Sequence, residues 1–243
     1  MNSILNSGRT LMDYPYFLIT CVLMIFFASG LLVIPKRHRL PMLLSALMST
    51  PFSLASFLFD PDYWHPVRII EYPVGIEDFV FSFSTGGLVW FFAVWPLHRK
   101  ICFNLKAGTI IRRNITYVLF GSLMYVIFRY NWFDVMTAVL ISAVLLTLHV
   151  LYLRRDLWSV WLCGFTGFTL FYLLLIKISF VFFPDSIHLW NTHALWGYYP
   201  WGVPLEELAW AGVFGGGWPV VTAYVFNGSP CAADSGYRSA GCS

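Results

Sequence analysis

Two eight-residue stretches decide how this chain is read: VGIEDFVF, from Val74 to Phe81, and VPLEELAW, from Val203 to Trp210. Each sets two adjacent carboxylates, Glu77-Asp78 and Glu206-Glu207, at the head of a run that otherwise reads as membrane helix. The stretches lie 129 residues apart (206 − 77), and the same offset carries Val74 onto Val203, Asp78 onto Glu207 and Gly86-Gly87 onto Gly215-Gly216. Earlier landmarks follow in the same order: Pro61-Asp62 corresponds to Pro184-Asp185, and the basic Arg37-His38 to Arg154-Arg155. Their offsets are shorter, 123 (184 − 61) and 117 (154 − 37), as loop insertions after a duplication would leave them.

The runs around these motifs belong in a bilayer. Hydrophobic residues make up 58% of the chain, charged residues 11%, and the mean hydropathy is +0.69, so one water-surrounded core cannot hold the apolar side chains. Apolar segments long enough to cross about 30 Å of hydrocarbon fall at Tyr14–Ile34, Leu40–Phe59, Ile76–Leu97, Ile115–Arg129, Phe133–Leu153, Leu157–Phe183 and Leu205–Phe226. The expectation is an all-α, polytopic membrane protein of about seven spans in a single membrane domain, 1–243. Repeat one covers 14–97, a connector helix about 115–130, repeat two 133–226, and the small, polar tail 227–243 reads as disordered. Four spans separate equivalent helices, so the two three-helix repeats are parallel and related by a pseudo-twofold axis along the membrane normal. The first span is too long for a signal-peptide core and lacks a small-residue cleavage site, so it reads as retained.

Lysine and arginine follow spans one, three and five: Lys36, Arg37 and Arg39; Arg99, Lys100, Lys106, Arg112 and Arg113; Arg154 and Arg155. This bias puts the amino terminus outside, the carboxyl terminus in the cytoplasm and both acid pairs at the outer face. The NIT sequon at Asn114 then falls on the cytoplasmic side and is expected to stay unmodified. A net charge of +3 with scattered basic residues gives no nucleic-acid footprint. Cys21, Cys102, Cys163, Cys231 and Cys242 form no CxxC pair, which argues against a zinc site or a disulfide framework. His65, His188 and His193 share the outer side without helical i,i+4 spacing, so no metal site is expected.

An acid at a helix start has an ordinary use, since it complements the helix dipole, and Pro204 is an ordinary helix-start residue. Two pairs at corresponding positions, beside glycine-bearing and aromatic-rich spans, favour a functional reading, because carboxylates in a membrane are costly. About the pseudo-axis the four acids face one another and line one cavity. Adjacent buried acids resist ionising together, so each pair is expected to keep a proton at neutral pH. That suits an acid that donates a proton and a carboxylate that later removes one. Phe, Tyr and Trp, at 23, 13 and 11 residues, supply ring faces that stabilise a cation without attacking it. Gly86-Gly87 and Gly215-Gly216-Gly217 permit close helix contact, and Lys177 reads as a snorkelling side chain able to pair with an acid.

Repeated acidic motifs of the form P-x-E-[ED] in a short seven-span chain resemble the heterodimeric-type lycopene cyclases, whose two subunits are fused in some members. PLEE at Pro204–Glu207 fits the motif; GIED at Gly75–Asp78 carries glycine in place of proline. The resemblance implies a redox-neutral lycopene β-cyclase, an intramolecular lyase or isomerase of carotenoid biosynthesis, in the plasma membrane. It implies Glu77, Asp78, Glu206 and Glu207 as acid/base residues, with Tyr72, Phe81, Trp201 and Trp210 against the substrate. Its expected partners are lycopene, the lipid bilayer and other carotenoid-pathway enzymes. No flavin or nicotinamide is implied, and no strand-associated GxGxxG element is present in the sequence. Two other classes stand beside this reading. A seven-span retinal photoreceptor or proton carrier would need a Schiff-base lysine, which span seven lacks. A proton-coupled transporter also uses parallel repeats and buried acids.

Overall fold

The computed structural model describes residues 10–70, 72–96, 101–103 and 106–230. Among them, eight α-helices run in the order α1 Pro15–Val33, α2 Lys36–Ser49, α3 Ser56–Phe59, α4 Ile76–Val94, α5 Ala107–Asn131, α6 Val135–Leu153, α7 Trp158–Phe182 and α8 Leu205–Val225. A two-residue antiparallel pair, β1 Ile101–Cys102 with β2 Ser229–Pro230, ties the chain after α4 to the end of α8. The first residues of the expected tail are therefore ordered: Asn227 and Gly228 turn into β2. The rest of that tail, with Cys231 and Cys242, and the positions of Glu71, Leu97, Arg99 and Lys100 lie outside the described residues.

Proline sets several boundaries. Pro15 opens α1 with its fixed φ, and Ile34 is held extended before Pro35, which ends the helix. Past α2, Pro51 has no N–H to return to Leu47, and the chain tightens to 3₁₀ over Thr50–Ala55 before α3 resumes it. The hydroxyls of Ser49 and Thr50 both donate to the Ala46 carbonyl, at 2.8 and 3.0 Å, so that acceptor stays satisfied through the change of pitch.

Among the described residues, six segments are long and apolar enough to cross a membrane: Pro15–Val33, Lys36–Phe59, Ala107–Asn131, Val135–Leu153, Arg155–Phe182 and Leu205–Val225. Leu32, Leu145, Leu174 and Val181 stand exposed along them, as side chains facing lipid do. The protein is an all-α, multi-pass membrane protein. Two of the seven expected spans differ from expectation. Composition leaves out the third, α4, because Glu77, Asp78, Ser82, Ser84, Thr85, Gly86 and Gly87 dilute its apolar residues. These same residues are buried, for α4 sits inside the bundle against α1, α2, α7 and α8. The connector begins at Ala107 rather than Ile115. Arg113 extends it by lying 4.4 Å over the Tyr224 ring and donating to the Tyr224 carbonyl at the end of α8.

The two expected triplets, α1–α2–α4 and α6–α7–α8, have corresponding internal contacts. In each, the last helix packs against both earlier ones. Glycine allows the approach: a Cβ on Gly86 would meet Ser49 Oγ at 1.8 Å, and one on Gly164 would meet the Gly215 carbonyl oxygen at 2.2 Å. Two contacts join residues near the expected axis. Phe81 of α4 stacks on Trp210 of α8, centroids 5.7 Å apart, and these two carry the 129-residue offset (210 − 81). Above them the loops preceding α4 and α8 form an antiparallel bridge at Trp64 and Trp190, with His65 N–H donating to Leu189 and Asn191 N–H to Tyr63.

Candidate acid–base site

All four acids are buried in the first turns of α4 and α8: Glu77 is 1% exposed, Asp78 2%, Glu206 0% and Glu207 7%. Within each pair the first acid has the same surroundings. One oxygen of Glu77 accepts the Ile69 N–H at 2.8 Å, and one oxygen of Glu206 accepts the Trp196 N–H, both from the loop before the helix. The second oxygen of each, Oε2, is buried without a hydrogen-bond partner among the described residues. An acceptor left without a protein donor in this way is costly to bury.

The second acids are saturated instead. Asp78 accepts from Tyr16 Oη at 3.0 Å, Ser56 Oγ at 2.7 Å, Arg68 Nε at 2.9 Å and the Gly75 N–H at 2.7 Å. The last of these is a helix-start bond, so Asp78 also does the ordinary work of an acid at the third helical position. Arg68 is 4% exposed and reaches Asp60 as well, at 2.5 Å, while His65 meets the other oxygen of Asp60. Burial alone would lower the Arg68 guanidinium, but its hydrogen bonds to Asp78 and Asp60 outweigh that and hold it above the usual arginine value. Glu207 accepts only from neutral groups: Tyr63 Oη at 2.9 Å, Trp190 Nε1 at 2.9 Å and Tyr172 Oη at 2.8 Å. Burial, then the charge and hydrogen bond of Glu207, push the Tyr63 hydroxyl far up, so it serves as a donor and does not ionise.

Aromatic rings connect the two pairs. Tyr16 lies 6.1 Å from Phe81, Phe81 stacks on Trp210, and Trp210 lies 5.2 Å from Tyr172. From Trp210 the stack continues down α8 through Phe214 to Trp218, at 5.2 and 5.9 Å. Of the four aromatic residues expected near the substrate, Phe81 and Trp210 thus stand between the acid pairs. Tyr72 and Trp201 are 60% and 70% exposed, Tyr72 edge-on to Phe57 and Trp201 in a left-handed turn. Lys177 donates to the Trp201 carbonyl at 2.9 Å and not to an acid. Among the described residues no three His, Cys, Asp or Glu side chains gather as a metal set.

The glycine that breaks the first motif has a structural reason. A Cβ on Gly75 would press on Glu77 Oε2, so a larger residue there would make that carboxyl shift from its present position. Sequence reasoning passed over Arg68, Tyr16, Tyr63, Tyr172 and Trp190. Arg68 alone carried a signal: it is a cation in an otherwise acidic connection.

No family model, curated protein or solved structure matches the chain.

Proposed function

We propose that this protein is an intramembrane acid–base isomerase of the lycopene β-cyclase type. The observation that carries the reading is the repeated pairing of one buried carboxyl with an unmatched oxygen and one carboxylate saturated by donors, set against stacked aromatic rings. Glu206, and Glu77 in the equivalent position, deliver a proton to the terminal double bond of a linear carotenoid ψ-end. The next double bond attacks the resulting tertiary cation and closes the ring. A proton beside the cationic carbon then leaves to a carboxylate, and a β-ionone ring remains. One proton enters and one leaves, no electrons are exchanged, and no flavin or nicotinamide takes part.

Glu207 suits the second half of the reaction. A carbocation gives up its neighbouring proton to a weak base, so hydrogen bonds that weaken the base do not stop the step. They occupy its lone pairs and so discourage capture of the cation as an ester. The faces of Trp210 and Phe81 favour the cation in a site that excludes water. The same reading puts the protein in the plasma membrane with the amino terminus outside. Its partners there are lycopene and the enzymes that supply it. Expression in a lycopene-accumulating bacterium tests the proposal: cyclised carotenoid should appear on chromatography. An unchanged lycopene peak despite verified membrane expression refutes it.

A further inference from the structure

An acid pair that gives up one proton and takes one back in every turnover must be reset before the next, and the α8 pair has a surface cavity beside it. A surface cavity of about 170 Å³ lies beside the α8 pair, lined by Asp62, Tyr63, Arg129, Asp134, Val135 and Ala194. Asp62 and Asp134 are exposed at it and Arg129 is half-buried, whereas Tyr63 is 4% exposed. Tyr63 therefore belongs to both sides: it lines the cavity, and its hydroxyl donates to Glu207 Oε1 at 2.9 Å. None of the donors to Asp78, namely Tyr16, Ser56, Arg68 and Gly75, lines this cavity.

We infer that Tyr63 is the proton inlet of the α8 acid pair, passing protons between water in the Asp62–Arg129–Asp134 cavity and Glu207. The inference rests on the acid–base reading of that pair. The hydroxyl takes a proton on its oxygen from a hydronium ion in the cavity, which is left as water, while its own proton moves to the Glu207 carboxylate, so the phenol stays neutral and charge is conserved. Reversal, with a lone pair of water receiving the proton, returns the excess after ring closure. Inside, the groups around Glu207 are Tyr63, Tyr172, Trp190 and the neighbouring Glu206; outside, Asp62 and Asp134 draw protons to the mouth and Arg129 moderates their charge.

Infrared spectroscopy of the full-length protein in lipid tests this without substrate, so it is independent of whether lycopene is cyclised. The carbonyl stretch of a buried protonated carboxyl is assigned by its loss in Glu206→Gln or Glu207→Gln, and its shift is timed after transfer to deuterated water. Tyr63→Phe should slow that exchange by about 10²-fold, the low end of what a positioned proton-transfer group contributes. Tyr172→Phe removes an equivalent hydrogen bond from Glu207 without touching the cavity and should leave the exchange time unchanged. Equal exchange in Tyr63→Phe and the parent protein, equal slowing in both phenylalanine variants, or the absence of such a carboxyl band overturns the inference.

Discussion

Glu77 and Glu206 have the same environment at corresponding positions, a loop N–H on one oxygen and nothing on the other, whereas their neighbours Asp78 and Glu207 share no type of partner except tyrosine. On α4 the second acid is bound to a buried arginine and caps its own helix; on α8 it accepts from two phenols and an indole, with no ion pair among the described residues. The first acids are alike in their partners, and the second acids differ. One half has a carboxylate committed to holding loop and helix together. The other has a carboxyl that, among the described residues, is held by neutral donors alone.

The largest effect expected from this comparison is on the first acids. Glu77→Gln and Glu206→Gln should each lower ring formation by about 10²–10⁴-fold, measured as carotenoid product per unit of membrane protein, because glutamine keeps the shape and cannot release a proton. Both variants should still fold, since each removes a buried carboxyl that is short of partners. Wild-type rates in both would reduce the acid pairs to helix-start residues.

The second acids should separate on stability. Asp78→Asn leaves Arg68 with Asp60 alone, and breaking a buried ion pair costs about 3–5 kcal/mol, here near the lower figure because Asp60 remains. Glu207→Gln should cost about 1–3 kcal/mol, for it mismatches hydrogen bonds without stranding a charge, and should lose activity while folded. Thermal unfolding of the two variants in the same detergent decides the order. If Glu207→Gln is the less stable, the contrast between the halves is wrong.

Smaller effects test the helix contacts. Gly164→Ala should cost about 1–3 kcal/mol, since the added carbon meets a backbone oxygen that has no rotamer to escape to. Gly86→Ala should cost less within that range, because its nearest neighbour is the Ser49 side chain. Smallest of all, Asp134→Ala should cost about 1 kcal/mol of stability, read from thermal unfolding. Asp134 is an acid that caps α6 through the Thr137 N–H at 2.9 Å, and serves as the standard against which the buried pairs are judged.

The helices and their order are legible in the sequence because lipid imposes long apolar runs, and the 129-residue offset (210 − 81) picks out Phe81 and Trp210, which stack between α4 and α8. What the sequence hid has two physical causes. α4 breaks the apolar rule because protein surrounds it, so its serines, threonine and glycines face other helices and not lipid. The donors to the acids come from four separate segments, with Tyr16, Ser56, Tyr63, Arg68, Tyr172 and Trp190 up to 144 residues from the carboxylate they serve. No local spacing records such partners. The connector was read too short because Arg112, Arg113 and Asn114 look like a loop, and only the end of α8 reveals why a helix runs through them.

Helix α5 has no buried residue and touches chiefly α6 and α8, yet it joins the two halves of the bundle. Its physical contribution is that of a tether. Two three-helix pieces diffusing separately in a membrane would meet by a concentration-dependent encounter, whereas a covalent link holds each at an effective concentration on the order of millimolar toward the other. The lipid-facing surface of α5 can then drift in sequence under little more than a demand for length and apolarity, while Arg113 and Tyr117 anchor the helix to the end of α8. Selection on the halves acts where they meet, at Phe81 against Trp210 and at the bridged tryptophans above them.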